Sequence, residues 1–345
     1  MWKVFKSILD RIKMERYHRL HKKAALKILK QVELENGKVS DSVIKQCNEY
    51  AKKKLGSIKY APWLYVYSAM NGKFKSGWIP DNYYGEVIVA QLEGEYARPS
   101  RLKPLSNRIL NTNKLPDLLY INNGLFIKPG SFTVITVEQA YKVLFSDNEV
   151  VIFKENESSQ GKGIHYFRSE DWNDDLKNIK NGVFQKVIFQ HPFFDSLFPH
   201  PGATVRMTTA LDDLGQATLR TAYLRLGRAQ NEDGISYVKS SSAIKIPINI
   251  KNGELSSRGY YPSWKSIEYH PDTHAYFKNK KIPNFELAVR TVVELHQNYP
   301  FVKCIGWDVT INSKSEVEVM EWNAEHNDIK FSEAIHGPCF SDFLH

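Results

Sequence analysis

Of the 345 residues, 42% are hydrophobic and 12% aromatic, enough for one large core or two moderate ones and too apolar for a disordered chain. The net charge of +9 is unevenly spread: of 47 Lys/Arg and 38 Asp/Glu, 16 and 6 fall in residues 1–60, leaving 31 and 32 for the other 285. A neutral body argues against a body-wide polyanion groove, and so against nucleic acid as the partner, and leaves a local basic feature near the start of the chain to explain.

From Trp2 to about Val32, apolar residues recur at helical spacing (Val4, Phe5, Ile8, Leu9, Ile12, then Leu20, Ala24, Ile28, Val32), with Lys and Arg between them. This predicts one or two basic amphipathic helices, which either lie on an anionic membrane surface or glycan, or pack on the body as a helical subdomain with a solvated basic face. A second helical stretch covers residues 41–55. An aromatic segment, Tyr60 to Tyr67, follows, and the Gly, Pro and Asn punctuation between Gly77 and Gly85 predicts short elements and loops. Strand-like runs at residues 118–121, 133–135 and 150–154 around a helical pattern at 137–144 point to an α+β or α/β enzyme. Cys47, Cys304 and Cys339 stand far apart, so neither a disulfide framework nor a zinc site is expected. No stretch approaches the ~20 apolar residues that span a bilayer. The expected setting is cytoplasmic, with peripheral contact at the inner membrane face left open.

Three constellations carry chemistry. The first runs from Glu149 to Phe167: two β-branched, apolar runs flank a Ser- and Gly-rich loop, with Lys154 ending the first run. Such a hairpin offers backbone N–H groups and a point charge to a polyphosphate, and it lacks the Walker A pattern. The second is the hairpin Ile305 to Asn323, with Asp308 on one strand and Glu321 and Asn323 at the end of the other. Residues 321 and 323 share a strand face, so the three offer hard oxygen ligands suited to Mg²⁺. The third comprises Phe184-Gln-Lys-Val-Ile-Phe-Gln-His-Pro192 and two arginines, Arg206 and Arg225, each set among apolar neighbours, where a guanidinium needs a carboxylate or phosphate.

In order and spacing these resemble the ATP-grasp superfamily, and most closely the sugar-transfer-associated ATP-grasp proteins found among genes for bacterial surface polysaccharides. The resemblance covers about residues 100–340. It is carried by Gln190-His-Pro192, Thr204-Val-Arg206-Met-Thr208, Leu224-Arg-Leu-Gly227, His270-Pro-Asp-Thr273, Lys281-Ile-Pro283, Gly306-Trp-Asp308 and Glu321-Trp-Asn323. It implies an α+β ATP-grasp fold, two subdomains gripping ATP, with an N-terminal helical extension. The implied division is a basic extension at 1–60, an N-terminal α/β part at 61–145, a small subdomain at 146–190 and a C-terminal subdomain at 191–345. By position, Lys154, Gly161, Lys162 and Gly163 would hold the ATP phosphates, and Gln185, Lys186, Val187 and Ile188 would line the adenine. Arg206 would neutralise phosphate and Arg225 would stabilise the acyl-phosphate or the tetrahedral intermediate, while Asp308, Glu321 and Asn323 would bind Mg²⁺. His191, His270 and Asp272 would face the acceptor substrate.

The pattern departs from the family at three places. The usual Lys-Pro after the first strand is Lys154-Glu155, an expected Asn and paired Gly appear as Val238-Lys-Ser-Ser-Ser-Ala243, and an earlier phosphate-binding Lys is replaced by Arg108. The implied activity is an ADP-forming carboxylate-amine ligase that joins an amino acid or amine to a hexuronic acid carboxyl of a capsular or other surface polysaccharide. The alternatives are a kinase acting on a sugar hydroxyl and a non-catalytic ATP-binding adaptor at the membrane surface.

Overall fold

The computed structural model describes residues 2–156, 163–172, 179, 181–199, 202–228 and 242–344, with side chains from Leu9 onward. It divides into two compact units, Met1–Leu92 with Ser263–Ser266 and Asp328–His345, and Glu93–Pro262 with Ile267–Asn327.

The first unit is helical. Its helices are α1 (Trp2–Asn36), α2 (Asp41–Lys53), α3 (Ala61–Asn71), α4 (Asp81–Tyr83), α5 (Val89–Leu92), joined to α4 through a π turn, and, from the far end of the chain, α10 (Lys330–Ile335). Ser40 starts α2 by accepting a hydrogen bond from the Val43 amide, and Gly72 in the left-handed region ends α3. The aromatic segment is α3 itself: Trp63, Leu64, Val66 and Tyr67 are all buried, so it is the central helix of this unit. Trp264 and Phe331 complete the core beside it, with ring contacts Trp63–Trp264 at 6.3 Å and Trp264–Phe331 at 5.6 Å. The unit therefore extends past residue 60 to Leu92 and takes in residues 328–345. A helix apolar around its circumference needs cover on several sides, and α1, α2 and α10 supply it.

The second unit is α+β and holds two antiparallel sheets. The smaller contains β1 (Asp117–Asn122), β2 (Leu125–Ile127), β3 (Val134–Ile135), β4 (Val150–Glu155), β5 (Ile164–Arg168) and β6 (Gly182–Lys186), in the order β3-β2-β1-β6-β4-β5. Helix α6 (Ser106–Ile109) precedes β1, and α7 (Val137–Phe145), opened by a Thr136/Gln139 capping box, covers one face with Ala140 and Leu144 on Leu119, Phe153 and Phe184. Because β1 pairs with one edge of β6 and β4 with the other, no boundary falls at 145/146.

The larger sheet contains β7 (Thr204–Leu211), β8 (Ala217–Leu226), β9 (Ile244–Pro247), β10 (Gly259–Tyr260), β11 (Ser266–Ile267), β12 (Cys304–Ile311) and β13 (Val317–Asn323), ordered β11-β10-β9-β8-β7-β12-β13. The short α8 (Pro192–Asp195) precedes β7. Helix α9 (Phe285–Gln297) buries Phe285, Ala288, Val292 and Leu295, spaced three and four apart, in the same core as Val205, Met207, Leu224, Trp307 and Trp322. That apolar face leaves the alternate residues of the same strands for the opposite face, where the site lies.

Candidate functional site

The registers of the larger sheet put Glu321, Asp308, Arg206, Tyr223 and Pro247 opposite one another in a single row across β13, β12, β7, β8 and β9. One step along, Thr204, Arg225 and Lys245 form a second row, and Asn323, Gly306, Thr208 and Thr221 a third. Arg206 Nε stands 2.8 Å from Asp308 Oδ1, and one Arg225 Nη stands 2.7 Å from Asp308 Oδ2. Burial would raise the Asp308 carboxyl, but the two guanidiniums outweigh it and hold it below the usual carboxylate range. Burial raises Tyr223 less than Lys245, Arg206 and Arg225 lower it, so the phenol also lies below its ordinary value.

Gly306 is required here by close approach: a Cβ would come 2.8 Å from both Arg206 Nη1 and Asn327 Oδ1. Asn327 clamps the start of β12, accepting from the Gly306 amide at 3.2 Å and donating to the Cys304 carbonyl at 3.1 Å. Between Val319 and Glu321, β13 carries one extra residue, Met320, against β12. Such a bulge re-aims a strand, and the Met320 carbonyl accepts from Lys154 Nζ at 3.4 Å. Lys154 is the penultimate residue of β4, where Gly182 of β6 allows a backbone approach that a Cβ, 2.3 Å from the Lys154 carbonyl oxygen, would block. Burial lowers the Lys154 ammonium, with Glu321, Asp117 and Asp308 pulling the other way. The two sheets thus present Lys154 and the Asp308 row to one another.

The expected strand, turn, strand pattern at Lys154 is a paired hairpin, closed by the Glu155 amide donating to the Gly163 carbonyl at 2.9 Å. Gly161 and Lys162 lie outside the described residues, as do residues 238–241 of the departing loop. Gln185 and Lys186 end β6. Gln185 donates to Asp117 at 2.8 Å, and Lys186 pairs with Glu318 at 2.9 Å. Val187 and Ile188 are half-buried in the linker that follows, which is held at the end of β12 by the His191 amide donating to the Ile311 carbonyl.

His191, His270 and Asp272 have local partners. His191 Nδ1 caps α8 by accepting from the Phe193 amide. His270 is fully buried, with one ring nitrogen 2.9 Å from the Gly227 carbonyl and the other accepting from the Asp272 amide. Asp272 receives a two-point pair from Arg228, at 2.9 Å on each oxygen. In this arrangement they shape the 270–274 turn and the start of α8, and a fully buried His270 cannot touch an acceptor.

One residue was missed from the sequence. Arg108 is exposed on α6, whereas Lys103, five residues earlier in a 3₁₀ turn, lines a cleft with Gln185, Met320 and Glu321. Its ammonium donates to the Asn156 carbonyl at 2.9 Å and is lowered by burial, with Glu321 acting in the opposite sense. The only signal was Lys103-Pro104, the Lys-Pro pair absent at Lys154.

Two arginines and two lysines therefore surround two carboxylates, Asp308 and Glu321. Among the described residues, Arg225 Nε is buried without a hydrogen-bond partner. A half-buried surplus of positive charge with an unmatched N–H fits an anionic ligand rich in oxygen acceptors. No cluster of three or more His, Cys, Asp or Glu able to hold a metal is present among the described residues. Asp308 and Glu321 are the carboxylates that Mg²⁺, which takes one or two of them and completes its octahedron with substrate phosphates and water, could use here.

No curated protein sequence matches the chain. Among solved structures, it is similar to a biotin carboxylase from Campylobacter jejuni in complex with β,γ-ATP, at 11% identity over 93% of this chain and 67% of that one, TM-score 0.45. A D-alanyl-alanine synthetase A from Vibrio cholerae shares 13% identity over 73% and 61%, TM-score 0.42. The biotin carboxylase domain of the Hydrogenobacter thermophilus 2-oxoglutarate carboxylase, in complex with MgADP, ADP and bicarbonate, shares 13% over 72% of this chain, TM-score 0.42. The chain spans only 45% of that last structure's length. At these identities and TM-scores the likenesses decide nothing about substrate. Residues 176–341, which hold both arginines and all three candidate metal ligands, match the family model described as sugar-transfer associated ATP-grasp.

Proposed function

We propose that the protein is an ATP- and Mg²⁺-dependent carboxylate-amine ligase, and that its acceptor is a hexuronic acid carboxyl of a surface polysaccharide or its precursor. The observation that carries the first half is the Asp308 row: one carboxylate shared by Arg206 and Arg225, with Glu321 beside it and Lys154 and Lys103 across from it. MgATP supplies a phosphoryl group that activates the carboxylate for attack by the amine, with ADP and phosphate leaving.

The chain's own residues supply positioning and electrostatics. Lys103 and Lys154 neutralise phosphate, and the segment from Gln185 to Ile188 faces the base. Asp308, Glu321 and Asn323 offer oxygen ligands to the metal. Arg225, with its unmatched Nε, stabilises negative charge on the substrate carboxyl as the amine adds. The polysaccharide half rests on the family described for residues 176–341.

Purified protein given ATP, Mg²⁺, a uronic acid glycan and mixed amino acids should release ADP and gain an amide detectable by mass spectrometry. Release of AMP would overturn the acyl-phosphate route. A phosphoester on the glycan in place of an amide would replace the ligase with a kinase.

A further inference from the structure

Helix α1 is single and unbroken, and it carries two different faces. Met14, His18, His21, Ala25, Ile28 and Val32 recur at alternating spacings of four and three on the side turned into the first unit. There His18 Nε2 meets Glu86 at 3.0 Å, Trp63 Nε1 donates to His21 Nδ1 at 3.2 Å, and Ala25 and Val32 are buried. At ~100° per residue, the positions 9, 12, 16, 19, 23, 27 and 30 fall on roughly the opposite side of the helix. All seven are exposed.

The composition of this outer stripe changes along its length. Leu9 and Ile12 are 41% and 56% exposed, and in the sequence Phe5 and Ile8 continue their spacing. From Arg16 to Lys30 the positions are basic, Arg16, Arg19, Lys23, Lys27 and Lys30, with no acidic residue among them, before the exposed Leu34 near the helix end. The inner face is already occupied, so the outer apolar turns have no partner within their own unit among the described residues. No helix among them is long and apolar enough to cross a membrane.

We propose that the outer stripe of α1 docks the protein on an anionic lipid bilayer, with Leu9 and Ile12 entering the interface and Arg16 to Lys30 lying against phosphate headgroups. An apolar segment continuous with a purely basic one matches the two layers such a surface presents, acyl chains and anionic headgroups. A second copy of the helix would meet this stripe with like charges, which disfavours self-association.

Flotation of the full-length protein with vesicles tests this. Binding is expected to vesicles of equal parts phosphatidylcholine and phosphatidylglycerol, about tenfold or more stronger than to phosphatidylcholine alone, and to weaken as salt is raised. R16E/K23E/K30E and, separately, L9S/I12S should each lower that binding about tenfold, while helical circular dichroism is retained because the changes leave the His18 and His21 contacts in place. Equal binding to neutral and anionic vesicles, or unchanged binding by the charge-reversed variant, would overturn the proposal. So would a concentration-dependent dimer abolished by L9S/I12S, or retention on a polyuronate without vesicle binding.

Discussion

The two faces of the seven-stranded sheet are built from alternate residues of the same strands, yet they solve different problems. On β7 and β12, Val205, Met207, Trp307 and Val309 lie under α9, while Arg206, Thr208, Gly306 and Asp308 lie on the other side. Each face buries its central residue: Trp307 is fully buried and Asp308 is 6% exposed. Burying Trp307 releases apolar surface from water and stabilises the fold. Burying Asp308 with two guanidiniums costs desolvation that the ion pairs only partly return. A fold selected for stability alone would gain more by filling the second face as it fills the first, and the proposed anionic ligand accounts for the charged row.

The largest effect that would break this comparison lies on the apolar face. Trp307→Ala is expected to cost about 3–5 kcal/mol in denaturant unfolding, leaving nucleotide affinity of the folded protein unchanged. A loss of affinity without loss of stability would mean that the faces are not separable. Next comes Asp308→Asn, which deprives Arg206 and Arg225 of their shared carboxylate. Turnover measured as ADP release should fall about 100-fold or more, near 2.7 kcal/mol, and MgATP should no longer raise the melting temperature. Unchanged turnover would remove Asp308 from the site.

The apolar face carries a pH dependence of its own. Trp307 Nε1 donates to Thr209 Oγ1 at 2.8 Å, Thr209 Oγ1 lies 2.7 Å from His296 Nδ1, and His296 Nε2 lies 3.0 Å from the Val302 carbonyl. Burial depresses His296 to about 4, so the folded protein keeps it neutral while the unfolded chain takes up a proton near its ordinary value. The unfolded state binds more protons in this window. Stability should therefore fall as pH drops from about 6.5 toward 4, by up to about 3 kcal/mol, and His296→Gln should flatten that slope. The smallest effect sharpens the boundary between faces: Gly306→Ala adds a methyl against Arg206 Nη1 and Asn327 Oδ1, and calorimetry should show nucleotide binding weakened about tenfold.

Much of this was legible because strand alternation is local. The Lys154 hairpin and the shared face of Asp308, Glu321 and Asn323 follow from period-two patterning, and β4 to β5 and β12 to β13 pair accordingly. The extra residue at Met320 was not legible, because a bulge depends on the partner strand's register. Nor was Lys103, since a lysine in a short turn carries no periodicity and is marked only by the carboxylate and carbonyl it meets.

Helix α1 shows the same limit. Its apolar residues read as one continued pattern, yet Leu20 and Ala24 are exposed while Tyr17, His18 and His21 turn inward. Helical period specifies which residues share a side, but which side is covered depends on the neighbour, and α3 meets the side that carries the histidines. By itself the sequence determined the elements, the charge asymmetry and the residue types of the site, all set by local periodicity and composition. Tertiary structure alone decided that one carboxylate is shared by two arginines from different strands, that Lys103 joins it, and that the basic face of α1 points outward, because each depends on contacts between residues distant in the chain.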